Sequence, residues 1–326
     1  MASPKEKILI TGGLGFIGSN LAKYCLQLGM KVTIYDNLDK NSGGNLSNIE
    51  PFKDNVELIN DDIINYEPLS KVIADKDLII NCAASTSHPF SMMEPWINLD
   101  VNIRGVINIL ESIRTLNPDA SFVHLGTSTQ LGPLHYQPAD ELHPEFPLDI
   151  YSANKTVAEK YVLLYSKVYG LRGTVLRLSN TFGPRAAIHS SEFTFNNYFI
   201  GLALQNKKIT VYKPGTQLRN LIYVDDAVEA LILAGTSKKT SGETFFAVGD
   251  GHMTVLDIAN KISQYLGGNV ELVDYPKERE SIEIGDAILC NKKIKRILGW
   301  NPKIELSEGL VRTGKYYDEC LEDYLK

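Results

Sequence analysis

Tyr151-Ser152-Ala153-Asn154-Lys155 opens a long helical pattern. In a helix the four-residue spacing sets Tyr151 and Lys155 on one face, one above the other. An ammonium beside a phenol favours the phenolate, as does any second cation nearby, so a tyrosine whose ordinary pKa is about 10 can serve as a base near neutral pH. The chemistry that suits such a pair is removal of an alcohol proton while hydrogen leaves the same carbon as hydride. A Tyr-x-x-x-Lys spacing is common on solvated helix surfaces, so it has weight only in company. A hydroxyl is also wanted, to hold the substrate oxygen. Thr127 answers this, because the apolar run Ser121–Leu125 ends in Gly126-Thr127-Ser128-Thr129 and ligands bind beyond the carboxyl ends of parallel strands. Its competing role is ordinary strand-end hydrogen bonding.

The company comes from the N-terminus. Thr11-Gly12-Gly13-Leu14-Gly15-Phe16-Ile17-Gly18 follows one apolar run and opens a helical one. Gly12, Gly15 and Gly18 let the backbone turn tightly, approach a pyrophosphate and pack a helix on a sheet, while the amides of Phe16 and Ile17 face the phosphates. Asp36 ends the second apolar run about 20 residues later, where a carboxylate can accept both ribose hydroxyls and would repel a 2′-phosphate. The expected cofactor is therefore NAD rather than NADP. Asn37 adjoins Asp36. Asp62 and Ile63 follow the third run, where Asp62 could meet the adenine or cap a helix.

These residues need a frame. The first half alternates apolar runs (7–11, 31–35, 56–59, 78–82, 121–125 and 172–178) with helical patterns (16–28, 102–116 and 150–169). That rhythm predicts βαβ units and a doubly wound parallel sheet, with strands buried on both faces. Beyond Leu178 the elements shorten between Gly183-Pro184, Pro214-Gly215 and Gly249-Asp250-Gly251, with helical patterns at 191–204, 224–233, 255–266 and 306–325. The expected division is a dinucleotide-binding domain over 1–180, joined by about 220–250, and a smaller lobe mainly over 181–326. A chain of 326 residues has room for both.

Composition narrows the classes. A net charge of -6 without a basic run lacks the footprint of a nucleic-acid binder. No stretch approaches the roughly 18 apolar residues of a membrane span, nor a signal peptide's apolar region. Cys25, Cys82, Cys290 and Cys320 are far apart and form no CxxC pair, which reads as reduced thiols, no metal site and a cytoplasmic protein.

Together these residues resemble the extended short-chain dehydrogenase/reductase family, and within it the nucleotide-sugar epimerases typified by UDP-glucose 4-epimerase, the 4,6-dehydratases and the decarboxylases. The resemblance runs from Lys7 to about Leu325. Asn81-Cys82-Ala83-Ala84 resembles the strand under the nicotinamide, with Ser85 following toward the sugar, where Thr86, Ser87 and His88 are further pocket candidates. Val101-Asn102-Ile103-Arg104-Gly105 resembles the helix start whose asparagine supports the site. The segment from Arg177 to Arg185 resembles the one whose asparagine, here Asn180, touches the phosphates, with Arg185 a further substrate-binding candidate. Thr210-Val211-Tyr212 resembles the edge against which the base packs. Arg219 matches a diphosphate clamp, and Leu298-Gly299-Trp300-Asn301-Pro302 a C-terminal signature.

The resemblance implies a Rossmann doubly wound parallel sheet with a smaller C-terminal substrate-binding lobe, bound NAD, a nucleotide-sugar substrate (a UDP-sugar foremost) and a homodimer built on the helices beginning near Asn102 and Tyr151. Two departures stand out. Dehydratases of the family carry Asp-Glu directly after the catalytic threonine, and decarboxylases a glutamate two residues after it; here Ser128 and Thr129 occupy those places. The second phosphate-binding arginine is replaced by Glu283-Ile284-Gly285-Asp286, which leaves Arg279 as its candidate substitute. The expected reaction is sugar epimerisation through a transient keto-sugar, at C4, with Tyr151, Lys155 and Thr127 as machinery. The alternatives are decarboxylation, 4,6-dehydration, a reductase releasing its cofactor, or a non-catalytic NAD-sensing regulator.

Overall fold

The computed structural model describes residues 6–39, 41–275 and 284–325. Arg279 and Glu283 lie outside them. Twelve strands are found among the described residues: β1 Lys7–Thr11, β2 Lys31–Asp36, β3 Val56–Asn60, β4 Leu78–Asn81, β5 Ser121–Thr127, β6 Arg172–Leu178, β7 Asn180–Phe182, β8 Lys208–Tyr212, β9 Leu218–Tyr223, β10 Thr244–Ala247, β11 His252–Thr254 and β12 Asn269–Val273. The helices are α1 Phe16–Gln27, α2 Tyr66–Ile73, α3 His88–Met93, α4 Pro95–Leu99, α5 Gly105–Leu116, α6 Ile150–Tyr169, α7 Phe195–Leu204, α8 Val224–Thr236, α9 Val255–Leu266, α10 Lys292–Leu298 and α11 Leu306–Asp318.

Seven strands form one parallel sheet in the order β10-β6-β5-β4-β1-β2-β3. This is the expected doubly wound Rossmann arrangement. Strands β1, β4 and β10 are almost wholly buried because helices cover both faces, as continuous apolar runs require. The third strand departs from that expectation. Its Val-Glu-Leu-Ile-Asn is half-exposed at the sheet's edge, whereas β10 at the other edge is covered by α10. Strand order reverses on either side of β1, and this switch point opens a crevice beyond the carboxyl ends of β1 and β4. After β6 the chain builds a smaller lobe. Here β7 and β11 flank β9, β8 pairs with β12, and α7 and α9 pack against one another. No helix among the described residues is long and apolar enough to cross a membrane, and none of the four cysteines is in a disulfide.

Four expected helices differ at their ends by three residues or more, α8 running past the expected Leu233 to Thr236. A single π-helical stretch, Asp100–Arg104, precedes α5 in place of a helix beginning at Asn102. Widening the turn lets Asn98 and Asn102 both send Nδ2 to the Ser85 carbonyl, at 3.0 and 2.9 Å. The seventh helix starts at Phe195 rather than Ser191, because Phe193 and Thr194 instead line the crevice. The last helix stops at Asp318. A short 3-10 turn, Leu321–Tyr324, then folds back so that the Tyr324 hydroxyl donates to Asn48 Oδ1 at 2.6 Å.

Candidate active site

The crevice is a cavity of about 360 Å³, within the range of small-molecule sites. The glycine turn with Phe16 and Ile17, Asp36 and Asn37, Asp62 and Ile63, Cys82 to Ser85, Thr127 to Thr129, Tyr151, Asn180 and Arg219 all line it. Residues separated by up to 207 positions thus converge on one space. Thr86 and His88 also line it, whereas Ser87 caps α3 by accepting from the Phe90 amide and hydrogen-bonds Glu192.

At the turn, Gly12 has a φ of +69°, and an added Cβ would lie 2.6 Å from the Ala83 nitrogen. A Cβ on Gly18 would come within 2.2 Å of the Gly12 carbonyl oxygen. Gly15 differs, since its Cβ would meet only that same oxygen, at 3.3 Å. The turn is therefore tightly backed but bare toward the cavity. Gly15 also N-caps α1 without a side chain, so the first amides of a 12-residue helix remain available to an anion. Asp36 closes the far side. Its Oδ2 accepts from the Leu14 amide and its Oδ1 from the Leu38 amide, both at 2.9 Å, while lone pairs remain for a diol. Burial raises the pKa of this carboxyl against those two amides. Asn37 Nδ2 donates to Asp62 Oδ2 at 2.7 Å, and the Ile64 amide donates to Asp62 Oδ1, so Asp62 both faces the cavity and shapes its turn. These features fit a dinucleotide.

At the other end stands Tyr151, in the first turn of α6. The Asp149 carboxylate caps that helix by accepting from the Ser152 amide at 2.8 Å. Contrary to the lowering expected from the Tyr151–Lys155 spacing, burial pushes the Tyr151 phenol up to about 12, and it is the Thr127 hydroxyl that pulls it down. The Thr127 hydroxyl lies 3.1 Å from that of Thr129, which accepts from the Ser152 hydroxyl at 2.9 Å. Strand β5 runs on to Thr127, which is thus the strand's last residue. Lys155 is buried behind the cavity wall, where its ammonium donates to the Leu125 carbonyl and meets His124 Nε2 at 3.1 Å. Burial lowers Lys155 to about 8, opposed by Cys82 and Glu159. His124 is held neutral, first by burial and then by that lysine. Its other nitrogen meets Asn81 Nδ2 at 3.1 Å, and Asn81 Oδ1 accepts from Thr11 at 2.6 Å. A buried polar chain thus links the strand before the glycine turn to the lysine.

Several expected site residues take other positions. Arg185 does not reach the cavity: its guanidinium donates to the Asn48 carbonyl and Asn20 Oδ1, and lies over the rings of Phe52 and Tyr316. A positive φ of 70° turns it back toward α1, away from the lobe it was expected to serve. Asn102 is likewise buried outside the cavity wall. It brackets the backbone of Ser85, accepting from its amide at 3.2 Å and donating to its carbonyl, so it positions a wall residue instead of forming the wall. Tyr212 packs its ring 5.2 Å from that of Tyr275, outside the cavity. Arg219 lines the cavity and donates to the carbonyls of Leu218 and Gly285, so backbone occupies the place beside it where a second arginine was expected.

Two features were missed. Asn197 lines the cavity, buried, with Nδ2 donating to the Thr181 carbonyl and Thr194 hydroxyl but no partner for Oδ1 among the described residues. Its signal was legible as paired asparagines inside the apolar run Phe-Asn-Asn-Tyr-Phe-Ile. The other is the pairing of His88 Nδ1 with Asp149 Oδ2 at 2.7 Å, against the Tyr151 ring. A separation of 61 positions hid it.

The model of the NAD-dependent epimerase/dehydratase family matches residues 8–249. A protein assigned as a UDP-glucose 4-epimerase in Methanocaldococcus jannaschii is 33% identical over 317 residues, covering 94% of this chain and 96% of the relative. The UDP-glucuronic acid decarboxylase 1 of Xenopus tropicalis is 32% identical, covering 98% and 73%. The crystal structure of Thermotoga maritima UDP-glucose 4-epimerase with UDP-glucose superposes with a TM-score of 0.88 at 28% identity, covering 97% and 99%.

Proposed function

This chain belongs to the NAD-dependent epimerase/dehydratase family, and from that premise we propose that it is a nucleotide-sugar epimerase acting at C4, with a UDP-sugar as substrate. Its cofactor is NAD, held by the glycine turn and the Asp36 carboxylate. NAD+ when bound supplies the hydride acceptor and, once reduced, the donor. Tyr151 takes the proton of the sugar hydroxyl and later returns it. Thr127 donates to the same oxygen, with a lone pair of its hydroxyl already engaged by the Thr129 amide at 3.3 Å. Lys155, anchored on β5, supplies positive charge beneath the tyrosine. Arg219 and Asn180 face the diphosphate, and the remote nucleotide supplies binding energy while the sugar turns.

The observation that carries this reading over decarboxylation or dehydration is the hydroxyl-only edge Thr127-Ser128-Thr129. The carboxylates that line the cavity, Asp36, Asp39, Asp61 and Asp62, stand at the Asp36 end instead. Residues 1–180 with about 220–250 would hold the cofactor, and the rest mainly the nucleotide-sugar. Exposed Leu116, Val157, Leu164 and Val168 on α5 and α6 favour a homodimer through these helices, and four unpaired thiols favour the cytoplasm.

The test is incubation with UDP-, GDP-, CDP- and TDP-sugars, with products read by mass and proton NMR. An epimer keeps its mass and changes its ring couplings. Loss of water or of carbon dioxide would replace this reading. Tyr151→Phe should keep the fold and lose about 10²–10⁴-fold in rate.

A further inference from the structure

An epimerase that only shuttles hydride needs one proton acceptor, because the proton taken from the hydroxyl goes back to the same oxygen. This cavity holds a second acid/base group. His88 lines its wall, with its ring edge-on to that of Tyr151 and the centroids 4.9 Å apart. Its Nδ1 is 2.7 Å from Asp149 Oδ2, and its side chain keeps 31% of its exposure. Nε2 has no hydrogen-bond partner among the described residues. Asp149 is only 9% exposed and fixed by its helix-capping bonds to Ser152. Burial raises its pKa, but the bonds from His88 and Ser152 prevail and leave it below the ordinary carboxylate range. A carboxylate accepting from Nδ1–H leaves the lone pair on Nε2, the tautomer a base requires. Two rings at this separation can both reach one hexose ring.

We propose that His88, oriented by Asp149, is a second catalytic base of this site and exchanges a proton with the sugar carbon next to the carbonyl of the keto-sugar. Nε2 takes the proton of that carbon. The C–H electron pair becomes a C=C bond, and the carbonyl π pair moves to oxygen, where Tyr151 and Thr127 hold the enolate. Reversal returns a proton to carbon after the imidazolium has exchanged with solvent. The proton comes back from the same imidazole and so to the same face, and the step reads out as solvent exchange at that carbon. The carboxylate absent from positions 128 and 129 thus has a functional counterpart in the imidazole beside the tyrosine. The inference rests on the keto-sugar of the proposed epimerisation.

The test supplies that species directly. UDP- and dTDP-4-keto-6-deoxyglucose are incubated with the protein and NAD+ in D2O, and deuterium at C3 and C5 is followed by NMR, a readout that needs no hydride transfer. Exchange about 10²-fold above the buffer rate is expected. His88→Asn, which keeps a donor toward Asp149, should return it to the buffer rate. Asp149→Asn, which keeps the helix cap, should slow it at least about tenfold. Wild-type exchange at the buffer rate would overturn the proposal, as would undiminished exchange in His88→Asn. If His88→Asn does not fold, undiminished exchange in Asp149→Asn overturns it. The epimerase reading fails separately, when no sugar of the panel is inverted while exchange persists.

Discussion

Lys155 is a buried cation whose nearest partners, an imidazole and a carbonyl, are both uncharged. Its pKa falls from 10.5 to about 8, so below pH 8 the ammonium is present in both folded and unfolded chains and the full burial penalty applies. Between about 8 and 10.5 the unfolded chain binds more protons, so stability rises with pH and the penalty disappears. A shift of this size corresponds to about 3 kcal/mol. Lys155→Met should therefore be more stable than the parent near pH 7, and the gap should close by pH 10.5. Urea unfolding of both proteins across that range tests it, and a gap that does not narrow would show that the lysine is already neutral. Asp36 makes the second residue-scale prediction. A 2′-phosphate beside this buried carboxylate is a like-charge contact costing several kcal/mol. Calorimetry on stripped protein should find NADP far weaker than NAD.

At the scale of elements, the strand–turn–helix of β1 and α1 has little freedom. Gly18 lies in the first turn of α1 directly against the Gly12 carbonyl, so the helix cannot take a methyl group there without moving the phosphate turn. Gly18→Ala should cost about 1–3 kcal/mol, and NAD should raise its melting temperature less than the parent's. Equal shifts would show that the turn adapts. Elements of this kind were legible because their signals are local: β1, β6, α6 and α9 begin and end where periodicity and glycine placed them. The start of α5 was not legible. Its widened turn answers to Ser85 on another segment, and no local propensity encodes that contact. The same holds for the early end of α11, set by Tyr324 reaching Asn48.

For the whole molecule, the unpartnered stripe on α6 sets a test of assembly. Val157, Leu164 and Val168 recur at helical spacing and are exposed. A two-fold contact would bury each copy's stripe against its mate's. Sedimentation should find two chains per particle, and Leu164→Lys with Val168→Lys should yield a monomer. A parent that sediments as a monomer would remove the dimer from the proposal.

The cofactor turn, the carboxylate at Asp36, the tyrosine–lysine pair and the parallel sheet were all readable from the chain, because each depends on spacing within one element or one βαβ unit. The family followed from their order. Long-range packing settled the rest. It turned Arg185 inward to Asn20 and Asn48, set Asn102 behind Ser85, and gave Lys155 a histidine from β5 as its neighbour. It also joined His88 to Asp149 beside Tyr151. Contacts between residues 17 to 165 positions apart leave no periodic trace, since each partner satisfies its own local pattern equally well with or without the other. Only the closing of the sheet and its covering helices brings such side chains within hydrogen-bond distance.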